Sequence, residues 1–266
     1  MAATVGGWLA RYLTQRVGDP QMATVEIDKL AAALMPGDVL LVEGDTRISG
    51  AIKYLTQSTW SHAALFVGAR AEIPLRDGEL CDTVEADIEE GVRAVPLAEH
   101  ARLHTRICRP VGLSPVEREK VIEFSIARLG HHYDLKNVFD LARYLVPLPL
   151  PRRWRRRAIA FGSGDPTRAI CSTLIAQAFQ AVRYPILPKV TRERYGAPDC
   201  DDCVREFYRI RHHSLFAPRD FDISPYFAIV KPTLAAASDY RSITWVENGE
   251  RPAEFVDEDD AEQQAV

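Results

Sequence analysis

The order of secondary-structure signals along the chain constrains its fold more than any other feature. Between residues 39 and 109, short apolar runs alternate with Gly and Asp, which is typical of strands joined by turns in an antiparallel sheet. The predicted strands are Val39–Val42, Ala63–Val67, Cys81–Ala86, Gly91–Val95 and Thr105–Arg109. Helical spacing dominates after residue 114. The sequence therefore predicts an α+β fold, with an antiparallel sheet packed against helices.

One predicted helix has an unusually clear start, in which Ser114 is the cap, Pro115 takes the first helical position and Glu117 follows three residues after the cap. Its apolar face ends at Gly130. Further helices are predicted over Arg47–Gln57, Asn137–Val146 and Cys171–Val182, and two helical pieces lie within residues 1–34. Residues 192–214 are charged and uneven in pattern, and Phe221–Val230 has strand character.

Composition limits the function classes that remain. The chain has 266 residues, 47% of them hydrophobic, and a net charge of -4, which argues against nucleic-acid binding as a main function. The absence of an apolar run of spanning length and of a signal peptide predicts a cytoplasmic protein. Its five scattered cysteines do not form the pattern of a disulfide framework. We expect a helical extension at residues 1–34, a globular domain at 35–232 and a segment at 233–266 that ends in an acidic, disordered tail.

Two residues far apart in the chain carry the signal for chemistry. His62 lies in a predicted strand, and Cys171 lies at a predicted helix start after the turn sequence Asp165-Pro166-Thr167. A thiol reacts as the thiolate, which a neighbouring imidazole or a helix N-terminus favours. A histidine satisfied within the core and a cysteine packed as a small apolar residue are the alternatives. We interpret the pair as nucleophile and base.

A third side chain should orient the imidazole. The strand at residues 83–87 offers two carboxylates, Glu85 and Asp87. Because they are two residues apart, they lie on the same face, and periodicity leaves both open.

Five short stretches, taken in order, resemble the YiiX/YebB-like branch of the NlpC cysteine-hydrolase superfamily. They are Pro36-Gly37-Asp38, Trp60-Ser61-His62-Ala63-Ala64-Leu65, Val84-Glu85-Ala86, Gly130-His131-His132-Tyr133-Asp134 and Ile170-Cys171-Ser172-Thr173-Leu174-Ile175. The resemblance spans about residues 35–232. It implies a circularly permuted papain-like fold, in which the histidine precedes the cysteine. Related permuted members include lecithin:retinol acyltransferase-like enzymes, which act on lipids.

The resemblance also implies roles for individual residues. Cys171 corresponds to the nucleophile, His62 to the general base and Glu85 to the residue that orients it, ahead of Asp87. It places Tyr133 near the site, and Ser61 and Ser172, the neighbours of His62 and Cys171, are further candidates for substrate contacts. The family often has Cys-Ser-Glu where this chain has Cys171-Ser172-Thr173, so no role is carried over to a glutamate there.

Two further motifs have both a functional and a simpler explanation. Cys200, Cys203 and the pair His212-His213 form a weak zinc pattern, since adjacent side chains seldom converge on one metal. A basic run beside a Leu-Pro segment is a solvated loop, a peripheral contact with an anionic membrane or, less favoured, a nucleic-acid contact; it consists of Arg152, Arg153, Trp154, Arg155, Arg156 and Arg157. We expect no metal, no cofactor and no nucleic-acid partner.

The sequence thus predicts a cysteine hydrolase or acyltransferase. It would cleave an amide or ester bond of a peptide, small-molecule or lipid substrate through a thioester. The alternative is a non-catalytic module that binds a lipid or peptide on the same fold.

Overall fold

The computed structural model describes residue 12, residues 14–17, residue 23 and residues 25–132, 170–197 and 200–232. Within these segments, helices α1 to α5 span Ile27–Ala33, Arg47–Thr56, Pro115–Ile126, Ile170–Ala181 and Pro218–Asp222. Strands β1 to β8 span Val39–Glu43, His62–Phe66, Thr83–Asp87, Gly91–Val95, His104–Pro110, Lys189–Ala197, Cys200–Arg209 and Phe227–Val230. Short 3-10 helices cover Leu97–His100 and His213–Leu215.

Six of these strands form one sheet in the order β4-β3-β2-β1-β5-β8, and every neighbouring pair is antiparallel. The predicted α+β fold is confirmed. The first five strands match the predicted ones to within about two residues, as expected for element ends. The prediction of a strand over Phe221–Val230 is wrong in its first half, because Pro218 starts a short helix there.

Both faces of the sheet are covered by apolar side chains. On one face, α4 packs against β2 and β3, and its side chains join the main core. The members of that core that come from α4 are Leu174, Ile175, Ala176, Ala178 and Phe179, all fully buried. On the other face, Leu30 of α1 packs with Leu40 and Ile107. A helix that is apolar on nearly every side is buried on nearly every side, which matches the pattern of α4.

The turn before β1 is held by a buried ion pair. Asp38, which is 1% exposed, accepts hydrogen bonds from Arg109 Nε at 2.9 Å and Nη2 at 2.7 Å, and from the Met35 N–H at 2.8 Å. Gly37 has a φ of +92°, which favours glycine. The Pro36-Gly37-Asp38 stretch is therefore explained by structure: it fixes the entry to the central strand.

The outer edge of β4 is closed by the segment that follows α3. The Gly130 N–H donates to the Val92 carbonyl at 2.8 Å, and the Val92 N–H donates to the His131 carbonyl at 2.9 Å. Gly91 has a φ of +78°, and a Cβ there would lie 2.4 Å from the His131 oxygen. Upstream, the predicted capping box of α3 between Ser114 and Glu117 is present. These contacts fix the edge strand next to the site.

The charged residues 192–214, which show no regular pattern in the sequence, contain most of a two-stranded antiparallel ribbon. β6 and β7 pair from Lys189↔Arg209 to Ala197↔Cys200, with an irregularity between Tyr195 and Ala197. Charged and apolar residues share both faces of this ribbon, so the alternation that reveals a half-buried strand is missing.

Some predicted segments lie outside the described residues. These are the helix at Asn137–Val146, the first helical piece near the N-terminus and the acidic tail. Among the helices that the structure describes, none has the length and apolar character needed to span a bilayer.

Candidate active site

The fold brings His62 and Cys171 together. His62 is the first residue of β2, and Cys171 is the second residue of α4, the helix that packs on β2 and β3. The Cys171 side chain, 5% exposed, lines the same cavity as His62 and lies close enough for each group to shift the pKa of the other. His62 Nε2 is engaged by Glu85, which leaves Nδ1 as the ring nitrogen for the thiol. The predicted helix that carries Cys171 is present over the described residues Ile170–Ala181.

Glu85 lies on the other side of the imidazole. Its Oε2 is 2.7 Å from His62 Nε2, and its side chain is 2% exposed. Asp87 has a different role: its Oδ1 accepts the backbone N–H groups of Glu89 at 2.7 Å and Glu90 at 2.9 Å, which closes the turn into β4. Of the two carboxylates that periodicity left open, Glu85 therefore contacts the imidazole.

The strand register explains this difference. Ala64 pairs with Glu85, so continuing the ladder would place His62 opposite Asp87, with Glu85 on the diagonal. A long side chain on the same face can reach a diagonal neighbour. Glu85 spans that distance, whereas the shorter Asp87 side chain binds its own turn.

The charges of the site favour an ion pair. Burial would raise the pKa of the Cys171 thiol, but the charge of His62 and the hydrogen bonds from His62 and Ala63 bring that pKa below its ordinary value. Burial would lower the pKa of His62, yet Glu85 and Cys171 raise it well above the ordinary value. Burial likewise opposes ionisation of Glu85, and His62 and His100 hold its pKa well below the usual range. Both shifts favour a thiolate facing an imidazolium.

A cavity of about 260 Å³ opens beside this ion pair. Apolar side chains from β1 and α2 form part of its wall, and the carboxylates of Asp45, Asp87 and Glu99 add acidic groups. Ser61 lines the cavity too. Its Oγ accepts the N–H of Gly44, the residue after β1, at 2.9 Å. Ser172 is fully buried, with its Oγ 3.9 Å from the Cys171 Sγ.

Other candidates from the sequence lie outside what the structure describes. These are Tyr133, the basic run at residues 152–157 and the side chains of Cys200 and Cys203. His212 uses its Nδ1 to contact the Ser214 hydroxyl at 2.8 Å. Within the described part of the chain, no group of three or more His, Cys, Asp or Glu side chains is arranged to hold a metal ion.

Two neighbours of Glu85 were not predicted from the sequence. Arg93 donates to Glu85 Oε1 from Nε at 2.9 Å and from Nη2 at 2.7 Å, and His100 Nε2 lies 3.4 Å from Oε2. A signal for Arg93 was present: a short turn between two adjacent predicted strands places residues 85 and 93 opposite each other. His100 enters from a 3-10 helix, for which the sequence offered no comparable pattern.

The comparison with protein families concerns this region. Residues 33–144 match the model of a family described as "Permuted papain-like amidase enzyme, YaeF/YiiX, C92 family". The resemblance to the permuted papain-like amidases is confirmed. The matched segment contains His62, Glu85 and Arg93. Cys171 lies beyond the end of the match. The family's description as amidases supports a hydrolase in general.

A solved structure is also similar to this chain. It is described as the metalloprotein yiiX from Escherichia coli O157:H7, with 17% sequence identity, a TM-score of 0.43, and coverage of 75% of this chain and 97% of that one. No curated protein matches this chain.

Proposed function

We propose that this protein is a cysteine hydrolase that cleaves an amide or ester bond through a thioester. One observation carries the proposal: Cys171 and His62 line one cavity, and His62 Nε2 lies 2.7 Å from the buried carboxylate of Glu85. A nucleophile, a base and a carboxylate in sequential contact are the arrangement that nucleophilic acyl transfer requires. The match to a family of permuted papain-like amidases supports the same class of reaction.

In the proposed reaction, the Cys171 thiolate attacks the carbonyl carbon, and the carbonyl electron pair moves onto oxygen. The backbone N–H groups at the start of α4 are the proposed donors to that oxygen. The tetrahedral intermediate then expels the amine or alcohol, which takes a proton from the His62 imidazolium, and the acyl group stays on sulfur. His62 next removes a proton from water, which attacks the thioester and releases the acid and the thiol.

The cavity limits the proposed substrate. At about 260 Å³ it is slightly smaller than pockets that enclose drug-sized ligands, which begin near roughly 300 Å³. Its wall combines apolar side chains such as Ile48 and Ile52 with the carboxylates of Asp45 and Asp87. This favours a short acyl or aminoacyl group, as in a peptide or small amide, over a long lipid chain. An acceptor other than water would make the same site an acyltransferase.

The experiment is labelling with a panel of peptidyl and acyl electrophiles, with the modified residue located by mass spectrometry. We expect modification at Cys171, turnover of the corresponding amide or ester, and loss of both in Cys171→Ala. Cys108→Ala is the matched control, because Cys108 is another buried free cysteine. A non-catalytic binding module would show no turnover in the natural chain and would keep its ligand in Cys171→Ser. That result would overturn the proposed hydrolase function.

For location, we propose the cytoplasm, with peripheral contact to anionic membranes through the basic run at residues 152–157. The described cysteines Cys81, Cys108 and Cys171 are free, as is usual in a reducing compartment. Co-sedimentation with phosphatidylserine vesicles tests the membrane contact. Binding that is lost when the five arginines of this run are replaced by glutamine supports it. No sedimentation contradicts it.

A further inference from the structure

The carboxylate of Glu85 is shared between two imidazoles on one oxygen and a guanidinium on the other. Its Oε2 lies 2.7 Å from His62 Nε2 and 3.4 Å from His100 Nε2. Its Oε1 accepts two hydrogen bonds from Arg93, at 2.9 Å and 2.7 Å. Because two hydrogen bonds to one carboxylate oxygen restrict rotation of the group, Arg93 also sets where Oε2 points.

The second oxygen has two possible donors. His100 is 6% exposed, and its Nε2 has no hydrogen bond among the described residues, although it lies close to Oε2. A carboxylate free to turn could move toward His100 and away from His62. The two hydrogen bonds from Arg93 to Oε1 keep the short contact of Oε2 with His62.

Burial makes the charge of Arg93 matter as well. Glu85 is 2% exposed, and a carboxylate removed from water needs opposite charge or hydrogen bonds to remain ionised. Arg93 also pairs with Glu90 and Glu99, whose side chains are 47% and 37% exposed, and the charge of Asp87 acts on it as well. Water solvates those two, so Glu85 is the partner that depends on Arg93.

We propose that Arg93 is a positioning residue of the candidate active site, which holds Glu85 ionised with Oε2 on His62 and so maintains the imidazolium that faces Cys171. Its catalytic meaning rests on the proposed hydrolase function. The arrangement itself can be tested without substrate, through the reactivity of the thiol.

The test is the pH dependence of iodoacetamide alkylation at Cys171, in the full chain, for Arg93→Met and Arg93→Lys. Without the guanidinium, the pKa of Glu85 rises, support for the imidazolium weakens and the thiol holds its proton to higher pH. We expect the alkylation midpoint of Arg93→Met to rise by about one pH unit or more. Arg93→Lys, which keeps the charge but not the paired geometry, should fall in between.

Arg76→Met is the matched control. Arg76 bonds Glu90 at 3.0 Å through both terminal nitrogens and lies 3.5 Å from Glu99, yet it does not contact Glu85. It should leave the alkylation midpoint unchanged. An equal shift in Arg76→Met and Arg93→Met would assign the effect to the surface charge network and overturn the proposal. If Arg93→Met does not fold, an unshifted midpoint in folded Arg93→Lys overturns it equally.

A double-mutant cycle shows whether Arg93 acts through Glu85. In the Glu85→Gln background, Arg93→Met should shift the alkylation midpoint little further, since the carboxylate that it positions is gone. Fully additive shifts would mean an independent role and would overturn the proposal. A Cys171 that alkylates as expected but turns over no substrate would instead leave Arg93 as positioned here and remove the hydrolase function.

Discussion

At the scale of single residues, the charge of each side chain in the site shifts the pKa of its neighbour. Glu85 raises the pKa of His62, and the His62 imidazolium lowers that of Cys171. In the proposed site, the reactivity of the thiol therefore depends on the carboxylate of Glu85, which supports the charge of His62. A neutral amide in place of Glu85 would keep a hydrogen bond to the imidazole but would not stabilise its positive charge.

Glu85→Gln should thus lower kcat/KM by a factor between about ten and several thousand, as for other orienting carboxylates, while the thermal midpoint changes little. Asp87→Asn should stay within about two-fold of the natural chain, because an asparagine oxygen can still accept the turn N–H groups of Glu89 and Glu90. Steady-state kinetics of the two variants would compare them. A larger loss of kcat/KM in Asp87→Asn than in Glu85→Gln would make Asp87 the orienting residue.

At the scale of secondary-structure elements, the edge strand β4 connects the site to the helical part of the chain. Its Arg93 contacts Glu85, and its outer edge binds the Gly130-His131 backbone through Val92. The position of Arg93 therefore depends on how closely that segment approaches β4. Gly91 is the point of closest approach, since any side chain there meets the His131 carbonyl.

Gly91→Ala should destabilise the protein by about 2 kcal/mol or more, from backbone strain plus the clash with His131. Gly78→Ala provides the control: Gly78 also has a positive φ, of +85°, but a Cβ there meets nothing within 4 Å. Chemical denaturation of both variants separates the clash from the strain. Equal loss of stability in the two would show that the edge of β4 is not closely packed against residue 131.

Much of this arrangement could be predicted from the sequence. The antiparallel strands, the capping box at Ser114 and the helix start at Cys171 follow from local patterns that the structure retains. Whether Glu85 or Asp87 meets His62 depended on strand register, which periodicity cannot supply. His100 was missed because it arrives from a 3-10 helix whose position is set by tertiary contacts.

At the scale of the whole molecule, the site joins two separate parts of the chain. The imidazole and its carboxylate belong to the sheet, and the thiol belongs to α4, which covers one face of that sheet. The ion pair between them forms only when the helix is packed in place. The pH dependence of Cys171 alkylation therefore shows whether α4 is packed on the sheet.

The pH profile of kcat/KM should be bell-shaped. Activity rises with pH as the thiol ionises, below its ordinary range since the Cys171 pKa is lowered, and falls as His62 loses its proton, above its ordinary range since that pKa is raised. The two limbs belong to the coupled pair rather than to either residue alone. Denatured protein should alkylate at Cys171 with the pH dependence of a free thiol. A native profile identical to the denatured one would contradict the ion pair.

The position of the cysteine late in the chain has a consequence for protein synthesis. Strands β1 to β5 leave the ribosome before α4, and their antiparallel pairs are close in sequence, so they can begin to associate early. Until α4 follows and docks, Cys171 has no imidazolium beside it and behaves as an ordinary thiol. In the proposed site, the raised reactivity of Cys171 would thus be acquired only once α4 has docked on the sheet.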